Sequence, residues 1–312
     1  MKYRYLFGPV PSRRLGISLG IDLIPFKTCS YNCVYCECGA TTHLTIKREE
    51  YISSKKIIYE LKDFLKQKPK LDYITFSGSG EPTLNSEIGQ IIDFLKADFP
   101  KYKVTILTNG SLLSEEKVRQ AILRADLVMP SLDAISEKVF QKINRPDTNL
   151  KIEKIVQGLT DFRNEFNGEI WLEIFIVPEI NDYEKELKLL KAAVDKINPD
   201  KIQFNSLDRP GTENWVKSLS QKKRREIISN FKNCSVEIIS EYDSKKLKTD
   251  FGSDIESKIL ETIRRRPCTK KDLSESLGIH INEVSKYLKR LQKKQEIEVK
   301  NLKRGTFFKT KE

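Results

Sequence analysis

Short β-like runs alternate with helical runs along much of this sequence, most clearly between residues 70 and 205. The β-like runs are rich in Ile, Val, Leu and Phe, as expected for strands buried on both faces of a parallel sheet. The predicted strands are Gly20–Ile24, Tyr73–Phe76, Val104–Leu107, Leu127–Met129, Trp171–Val177 and Lys201–Phe204. The predicted helices are Tyr51–Leu65, Ile88–Leu95, Glu115–Leu123 and Glu184–Val194. This pattern predicts an α/β fold with parallel strands, either as a barrel or as an open sheet.

After Glu241 the alternation stops, and a polar segment precedes a pattern of a different kind. Three helical segments and two short strands around a Lys-Arg-Gly turn predict a winged helix-turn-helix. The segments are a helix at 255–263, a capped helix from Thr269 to Gly278, a helix from His280 to Lys294, and strands at 296–299 and 306–309. We therefore expect two domains, at residues 1–243 and 253–312.

The N-terminal residues argue against export, and the length allows a large folded domain. A chain of 312 residues can bury a substantial core. Residues 1–20 lack the apolar run of a signal peptide, and no segment approaches the roughly 18 apolar residues of a membrane span. We expect a soluble, cytoplasmic protein that does not enter a membrane.

Charge is unevenly distributed along the chain. The net charge is +12, and residues 245–312 carry 19 Lys and Arg against 10 Asp and Glu, a net charge of +9. The other residues share the remaining +3. A polyanionic partner is therefore expected to meet the protein at its C-terminal quarter.

Three of the six cysteines, Cys29, Cys33 and Cys36, form a C-x3-C-x2-C motif. In a reducing compartment, clustered thiols more often hold a metal than form disulfides. Zinc sites usually pair two C-x-x-C knuckles, and no second knuckle is present. Three thiolates on one loop can instead bind three irons of a [4Fe–4S] cluster and leave the fourth iron open to a ligand. The spacing favours the cluster and leaves zinc as an alternative.

A glycine-rich turn follows the predicted strand Tyr73–Phe76. Its sequence is Ser77-Gly78-Ser79-Gly80-Glu81-Pro82. Glycines after a strand let backbone groups approach a ligand closely. Together with Tyr35, the aromatic residue before the last cysteine of the motif, this turn resembles the radical SAM superfamily, and the resemblance extends over roughly residues 1–240.

The resemblance implies a partial (β/α)6 barrel of parallel strands, a [4Fe–4S] cluster on the three cysteines, and S-adenosylmethionine bound at the open iron. One-electron reduction by a donor such as ferredoxin or flavodoxin would then give a 5′-deoxyadenosyl radical, which takes a hydrogen atom from the substrate. It also implies that Glu81 meets the ammonium group of S-adenosylmethionine. The residues implied to bind this cofactor are Tyr35, Gly78, Ser79, Gly80, Glu81, Asn109, Ser131 and Asp133.

Two further motifs resemble a subgroup of iron–sulfur oxidoreductases akin to the tRNA wyosine-base synthases. They are the segment from Gly8 to Gly16, with Arg13 and Arg14, and the segment Asp208-Arg209-Pro210-Gly211. The archaeal wyosine synthases hold a second cluster on cysteines upstream of the main motif, whereas no cysteine precedes Cys29 here. A reaction that needs two clusters is therefore not expected.

Basic residues share one face of the third C-terminal helix, opposite apolar residues that we expect to be buried. A helix of this kind can lie against phosphates while it packs on its own domain. The residues predicted to bind nucleic acid are Lys286, Lys289, Arg290 and Lys293 on this helix, and Lys303 and Arg304 at the turn. The alternative is a solvated lysine-rich helix in a module that binds protein.

Three functions are compatible with these patterns. The leading hypothesis is a radical enzyme that modifies a nucleic acid, with an RNA base as substrate. The second is a radical enzyme acting on a peptide or small molecule, with the C-terminal domain docking a partner. The third is a redox-sensing DNA-binding regulator, which needs the cysteines but has no use for the turn at Gly80-Glu81-Pro82.

Overall fold

A computed structural model describes residues 3–12, 14–231, 235–238, 255–302 and 304–311 of the chain. The strands are β1 Leu6–Ser12, β2 Gly16–Asp22, β3 Thr28–Cys29, β4 His43–Leu44, β5 Tyr73–Ser77, β6 Lys103–Thr108, β7 Leu127–Pro130, β8 Glu169–Ile176, β9 Lys201–Ser206, β10 Val236–Ile238, β11 Cys268–Thr269, β12 Ile297–Leu302 and β13 Gly305–Thr310. The helices are α1 Ser54–Leu65, α2 Ile88–Asp98, α3 Glu116–Ile122, α4 Glu137–Ile143, α5 Ile152–Glu165, α6 Glu184–Ile197, α7 Gln221–Ser229, α8 Ile255–Arg265, α9 Lys270–Leu277 and α10 Ile281–Lys293, with a 3-10 turn at Pro82–Leu84.

Eight strands form a central sheet in the order β1-β2-β5-β6-β7-β8-β9-β10. All neighbours pair in parallel except β1 and β2, which form an antiparallel pair at one edge. The six strands predicted from the sequence are adjacent in this sheet, so the α/β fold with mostly parallel strands is confirmed. We call residues 3–238 of this part the α/β unit.

The strands β1 and β10 were not predicted from the sequence. Strand β1 contains Gly8, Pro9 and Pro11. Both residue types are uncommon inside strands, and proline is confined to edge strands because it cannot donate a hydrogen bond to a neighbouring strand. Its position at the edge of the sheet explains how it tolerates them. Strand β10 has three residues, too few for an alternating pattern to stand out.

The predicted helices are present, with ends that differ by a few residues. Helix α1 begins at Ser54 rather than at Tyr51, because Ser53 is extended and takes the N-cap position. The buried side chains of this helix are spaced three to four residues apart, at Ile57, Leu61 and Leu65. Such spacing places one apolar face on the sheet, where these residues join the same core as Ile74 and Phe76 of β5.

Residues 255–302 and 304–311 form a second structure, which we call the C-terminal unit. It has helices α8, α9 and α10 and a small antiparallel sheet in the order β11-β13-β12. A separate apolar core joins these elements, with residues such as Ile259, Leu273, Leu288 and Phe308. Cys268 is buried in this core.

The helix ends of the C-terminal unit follow the sequence. Thr269 and Asp272 form the predicted capping box of α9, and Gly278 ends that helix in the left-handed conformation. His280 is the N-cap of α10, where its ring nitrogen accepts from the N–H of Asn282. None of the helices that the structure describes is long and apolar enough to cross a membrane.

Candidate cluster and cofactor site

The cysteine loop begins in β3 and is held by backbone hydrogen bonds to the end of α4. The N–H of Asn32 donates to Asn144 O at 3.0 Å, and the N–H of Val34 donates to Ile143 O at 2.9 Å. Val34 is fully buried. The three predicted cluster ligands therefore project from a loop anchored to the end of α4, and all three side chains are only partly buried.

Each of the three thiols accepts a hydrogen bond from a different side chain. Such N–H donors orient sulfur ligands and adjust the reduction potential of a cluster bound to them. The pairs are Asn109 Nδ2 with Cys29 Sγ at 3.6 Å, Asn144 Nδ2 with Cys33 Sγ at 3.5 Å, and Lys27 Nζ with Cys36 Sγ at 3.3 Å. Lys27 and Asn144 were missed by sequence reasoning, because no local pattern marks either of them.

The three thiols differ in acidity. Burial raises the pKa of Cys29 to about 12 and raises the pKa of Cys33 as well. A hydrogen bond from Cys38, together with the charge of Lys27, lowers the pKa of Cys36 to about 6. A bound metal deprotonates coordinating thiols outright, so the Lys27 ammonium balances part of the negative charge that the loop would then carry.

The glycine-rich turn lies directly against the cysteine loop. The N–H of Lys27 donates to Ser79 O at 2.8 Å, and the N–H of Glu81 donates to Thr28 O at 3.2 Å. A Cβ atom on Gly80 would lie 2.0 Å from Thr28 O, so only glycine allows this contact. Gly78 has φ +136° and meets Asp22 with equally little room. The predicted turn is thus packed against the predicted cluster loop.

Glu81 is buried, with 1% of its surface exposed. Its carboxylate accepts from Thr83 N–H at 3.0 Å, from the Thr83 hydroxyl at 2.6 Å, from the Thr108 hydroxyl at 2.7 Å and from Asn109 N–H at 2.7 Å. Burial raises the pKa of Glu81, and these four donors act against that shift. In the structure this carboxylate joins the turn to the end of β6, and its contact with S-adenosylmethionine stays a prediction.

Asp133 connects three parts of the site. It accepts from the Tyr35 hydroxyl at 2.5 Å, from Asn144 Nδ2 at 2.7 Å and from Phe175 N–H at 2.8 Å. The Tyr35 ring stacks on the Phe175 ring, with centroids 3.8 Å apart. Ser131 is half-buried at the end of β7, where its N–H donates to Thr108 O. The residues predicted for the cofactor thus lie near the carboxyl ends of the parallel strands.

A cavity of about 340 Å³ lies against the central sheet, beside the cysteine loop. Tyr35, Cys36 and Glu37 line it from that loop, and Thr75, Glu173 and Phe175 line it from the strands. The C-terminal unit lines it too, through α9 and the residue Arg266. We call this cavity the chamber.

Arginines in the chamber wall are paired with carboxylates. Arg14 forms an ion pair with Glu173, and Arg209 lies 3.4 Å from Glu37 and 3.7 Å from Asp272. Burial lowers the pKa of Arg209, but these carboxylates outweigh it and hold the pKa above its usual value. Arg14 and Arg209 belong to the two motifs singled out in the sequence, whereas Glu173 was missed because it lies inside a strand. Arg13 falls outside the described residues.

The profile of the radical SAM superfamily matches residues 23–190, which include the cysteine loop and the glycine-rich turn. The chain belongs to the radical SAM superfamily. A UPF0026 protein from Methanocaldococcus jannaschii is 34% identical over 279 residues, which cover 87% of this chain and 85% of that protein. A protein named GTPase Obg from Brachyspira hyodysenteriae is 41% identical over 294 residues, and these span 93% of this chain but only 43% of that longer protein.

Solved structures support the same fold for this radical SAM enzyme. A radical SAM methyltransferase from Sphaerobacter thermophilus superposes with a TM-score of 0.57 at 13% identity, over 73% of this chain and 66% of that chain. At such identity the likeness concerns the fold alone. Superfamily membership favours an enzyme over the redox-sensing regulator considered from the sequence.

The cofactors of this radical SAM enzyme are a [4Fe–4S] cluster and S-adenosylmethionine. The thiols fit the cluster, since they lie on one loop and each has its own N–H donor. Among the residues that the structure describes, no three His, Cys, Asp or Glu side chains converge on a point that could hold a single metal ion.

The residues predicted to bind nucleic acid have different surroundings. Lys286, Lys289, Arg290 and Lys293 are all exposed on α10, and the buried side chains of that helix are Val284, Leu288 and Leu291. Arg304 instead binds Asp208 and Asp272, each at 2.6 Å. Lys303 lies outside the described residues, as does Cys234.

Proposed function

We propose that this radical SAM enzyme modifies a nucleic acid, with an RNA base as its substrate, and that the C-terminal unit binds the polymer. The exposed basic face of α10 carries the proposal. Its four cations share one side of a helix whose other side is buried, which is the arrangement that lets a helix lie against phosphates. The sequence supports the same partner, since the net charge of residues 245–312 is +9.

Under this proposal the chain consists of a partial (β/α)6 barrel at residues 1–243 and a winged helix-turn-helix at residues 253–312. The parallel order of β2 and β5 to β9 supports the barrel. Three helices beside the three-stranded sheet β11-β13-β12 support the winged helix. A one-electron donor such as ferredoxin or flavodoxin would reduce the enzyme, and we propose that the enzyme works in the cytoplasm.

The residues of the chain have separate tasks in this reaction. Cys29, Cys33 and Cys36 would hold the cluster, which together with S-adenosylmethionine supplies a radical able to take a hydrogen atom from the substrate. The turn at Gly78–Glu81 packs against the cysteine loop and gives S-adenosylmethionine a backbone surface to approach. The aromatic and aliphatic side chains of the chamber exclude water from a reactive intermediate.

The salt dependence of binding tests the nucleic-acid partner. Each phosphate contact releases condensed counterion, so log affinity should fall with log salt concentration by about 0.7 per contact for single strands. Replacing Lys286, Lys289, Arg290 and Lys293 with Gln should flatten this slope by about two to three units and weaken binding to all sequences alike. Titrations of RNA at several salt concentrations measure the slope.

A matched control removes four charges elsewhere. Lys55, Lys56, Lys66 and Lys70 are exposed on or beside α1, and replacing them with Gln changes the net charge equally. This control should keep the slope of the parent. If the α10 variant binds RNA as the parent does, or if both variants lose binding equally, the C-terminal unit is not the nucleic-acid reader.

A second candidate is a radical enzyme that acts on a small molecule. The chamber favours it, because a volume of about 340 Å³ is at the lower end for ligand pockets and the C-terminal unit covers part of it. Under this hypothesis the α10 variant would keep full turnover on a small substrate, whereas under the leading proposal it would lose turnover on RNA at physiological salt.

A further inference from the structure

Side chains from both units meet along the rim of the chamber. Arg265 at the end of α8 forms an ion pair with Asp22 of β2, and its guanidinium carbon lies 4.0 Å from the centroid of the Phe7 ring. The thiol of Cys38 donates to Arg265 O at 3.1 Å. The cysteine loop and the edge strands thus both contact the C-terminal unit.

The second group of contacts lies around Asp272, near the start of α9. Its carboxylate accepts from Arg304 at 2.6 Å and from Thr269 N–H at 2.9 Å. Arg304 also binds Asp208, which belongs to the α/β unit, at 2.6 Å. The ion pairs therefore cross from one unit to the other at two places.

Helix α9 contributes directly to the chamber wall. Asp272, Glu275 and Ser276 line the chamber together with residues of β5 and β8. Glu275 and Ser276 follow Asp272 by three and four residues, so the three side chains lie on one face of the helix. The apolar residues Leu273 and Leu277 are buried in the core of the C-terminal unit.

Arg209 has an unused hydrogen-bond donor in the same wall. Its side chain is 4% exposed, and its terminal nitrogens approach Glu37 and Asp272. Its Nε–H is buried and has no partner among the residues that the structure describes. Buried donors are almost always satisfied in folded proteins, so an acceptor from a ligand would complete this one.

We propose that α9 closes one side of the substrate chamber and that Arg209, oriented by Glu37 and Asp272, donates its Nε–H to an acceptor oxygen of the substrate. This inference rests on the proposed function, under which the acceptor is a carbonyl of a nucleobase. A chamber of about 340 Å³ is of the size that admits a single base rather than a folded polymer. Substrate choice is then shared between the two units, and Glu275 and Ser276 contact the bound group.

Loss of the cluster to an external reagent tests the wall. We expect the visible absorbance of anaerobically reconstituted enzyme to bleach about fivefold faster with a chelator and oxidant in Arg304→Gln. This variant loses the ion pair to Asp208, which joins the two units, as well as the pair to Asp272, and loss of the pair between the units shifts local opening by about that factor. Asp22→Asn, at the other contact between the units, should do the same. Lys294→Gln is the control, because Lys294 pairs with Glu256 inside the C-terminal unit. Equal bleaching of all variants and the parent would overturn the wall, whatever the enzyme binds.

Nucleoside binding tests Arg209. Equilibrium dialysis of the holoenzyme saturated with S-adenosylmethionine, which keeps adenosine out of the cofactor's own site, should show that uridine, which has base carbonyls, binds more tightly than adenosine, whose base has none. Arg209→Lys keeps the positive charge between Glu37 and Asp272 but has no Nε–H, and it should weaken uridine binding about tenfold, as expected for one charged hydrogen bond, without affecting adenosine. Equal binding of both nucleosides, or unchanged uridine binding in the variant, would overturn the role of Arg209. If Arg304→Gln bleaches faster but neither nucleoside binds, the nucleobase is wrong as the occupant while the wall stands.

Discussion

The cysteine loop and the C-terminal unit differ in how their predicted functional residues are arranged along the chain and in the fold. In the loop, Cys29, Cys33 and Cys36 lie within eight residues and are oriented by neighbours such as Asn109 and Asn144. In the C-terminal unit, the predicted basic residues separate into two groups. Those of α10 remain exposed, whereas Arg304 is bound by carboxylates of both units.

This difference shows what a sequence motif can and cannot specify. Fixed spacing on one loop restricts where its side chains can go, so candidate cluster ligands can be predicted from the chain alone. Basic residues spread over a small domain carry no such restriction, because each can face solvent, a polyanion or an acidic residue of another unit. Which of these occurs depends on how the two units pack.

The largest expected effect concerns the cluster loop. Replacing Cys29, Cys33 or Cys36 with Ala should abolish cleavage of S-adenosylmethionine and leave the reconstituted protein without a stable complement of about four irons. Cys38→Ala is the control, because Cys38 lies beside Cys36 and Arg265 but is not one of the three predicted cluster ligands, and it should keep the iron. Iron analysis and quantification of 5′-deoxyadenosine measure both. Retained tetrahedral zinc in protein purified without oxygen would contradict the assignment.

An intermediate effect is expected at Glu81. Glu81→Gln should weaken S-adenosylmethionine binding about tenfold, because the amide cannot accept from all four donors of the buried carboxylate. The variant Thr108→Val removes only one of these donors and should weaken binding about threefold. A binding titration of reconstituted protein distinguishes a Glu81 that only holds the turn in place from a Glu81 that contacts S-adenosylmethionine. If Thr108→Val has no effect while Glu81→Gln binds much more weakly, the carboxylate contacts the cofactor itself.

The smallest expected effect concerns the stability of the C-terminal unit. Burial raises the pKa of Asp272, but the charge of Arg209 and the N–H of Thr269 outweigh it, so the pKa lies below its usual value. The stabilisation is therefore complete above the unfolded pKa of about 3.9 and is lost as the pH falls through the lower folded pKa. Asp272→Asn should cost about 1–3 kcal/mol at pH 7.

Thermal unfolding of Asp272→Asn and of the parent should show a difference that shrinks below about pH 4. Asp195→Asn is the control, because its pair with Lys191 is half exposed and it should change stability by less than about 1 kcal/mol. A pH-independent difference would mean that Asp272 acts through packing rather than through its charge.

Most of the fold could be predicted because it depends on local patterns. Buried parallel strands such as Leu127–Pro130 are continuous apolar runs, and Thr269 and Gly278 mark helix ends by their own chemistry. The edge strand β1 could not, since its prolines contradict a strand and only its partner β2 specifies it. The contacts of Glu81 and Arg209 were also beyond prediction, because they depend on residues distant in sequence.

The contact between Cys38 and Arg265 has a consequence for biogenesis, since 227 residues separate its two ends. Domains generally fold as they leave the ribosome, beginning at the N-terminus. The cysteine loop therefore emerges long before α9 can cover the chamber beside it. Iron and sulfide delivered during synthesis would meet an open loop, whereas in the finished chain the loop already contacts the C-terminal unit through Cys38 and Arg265. The order of synthesis thus gives the maturation machinery its widest access early.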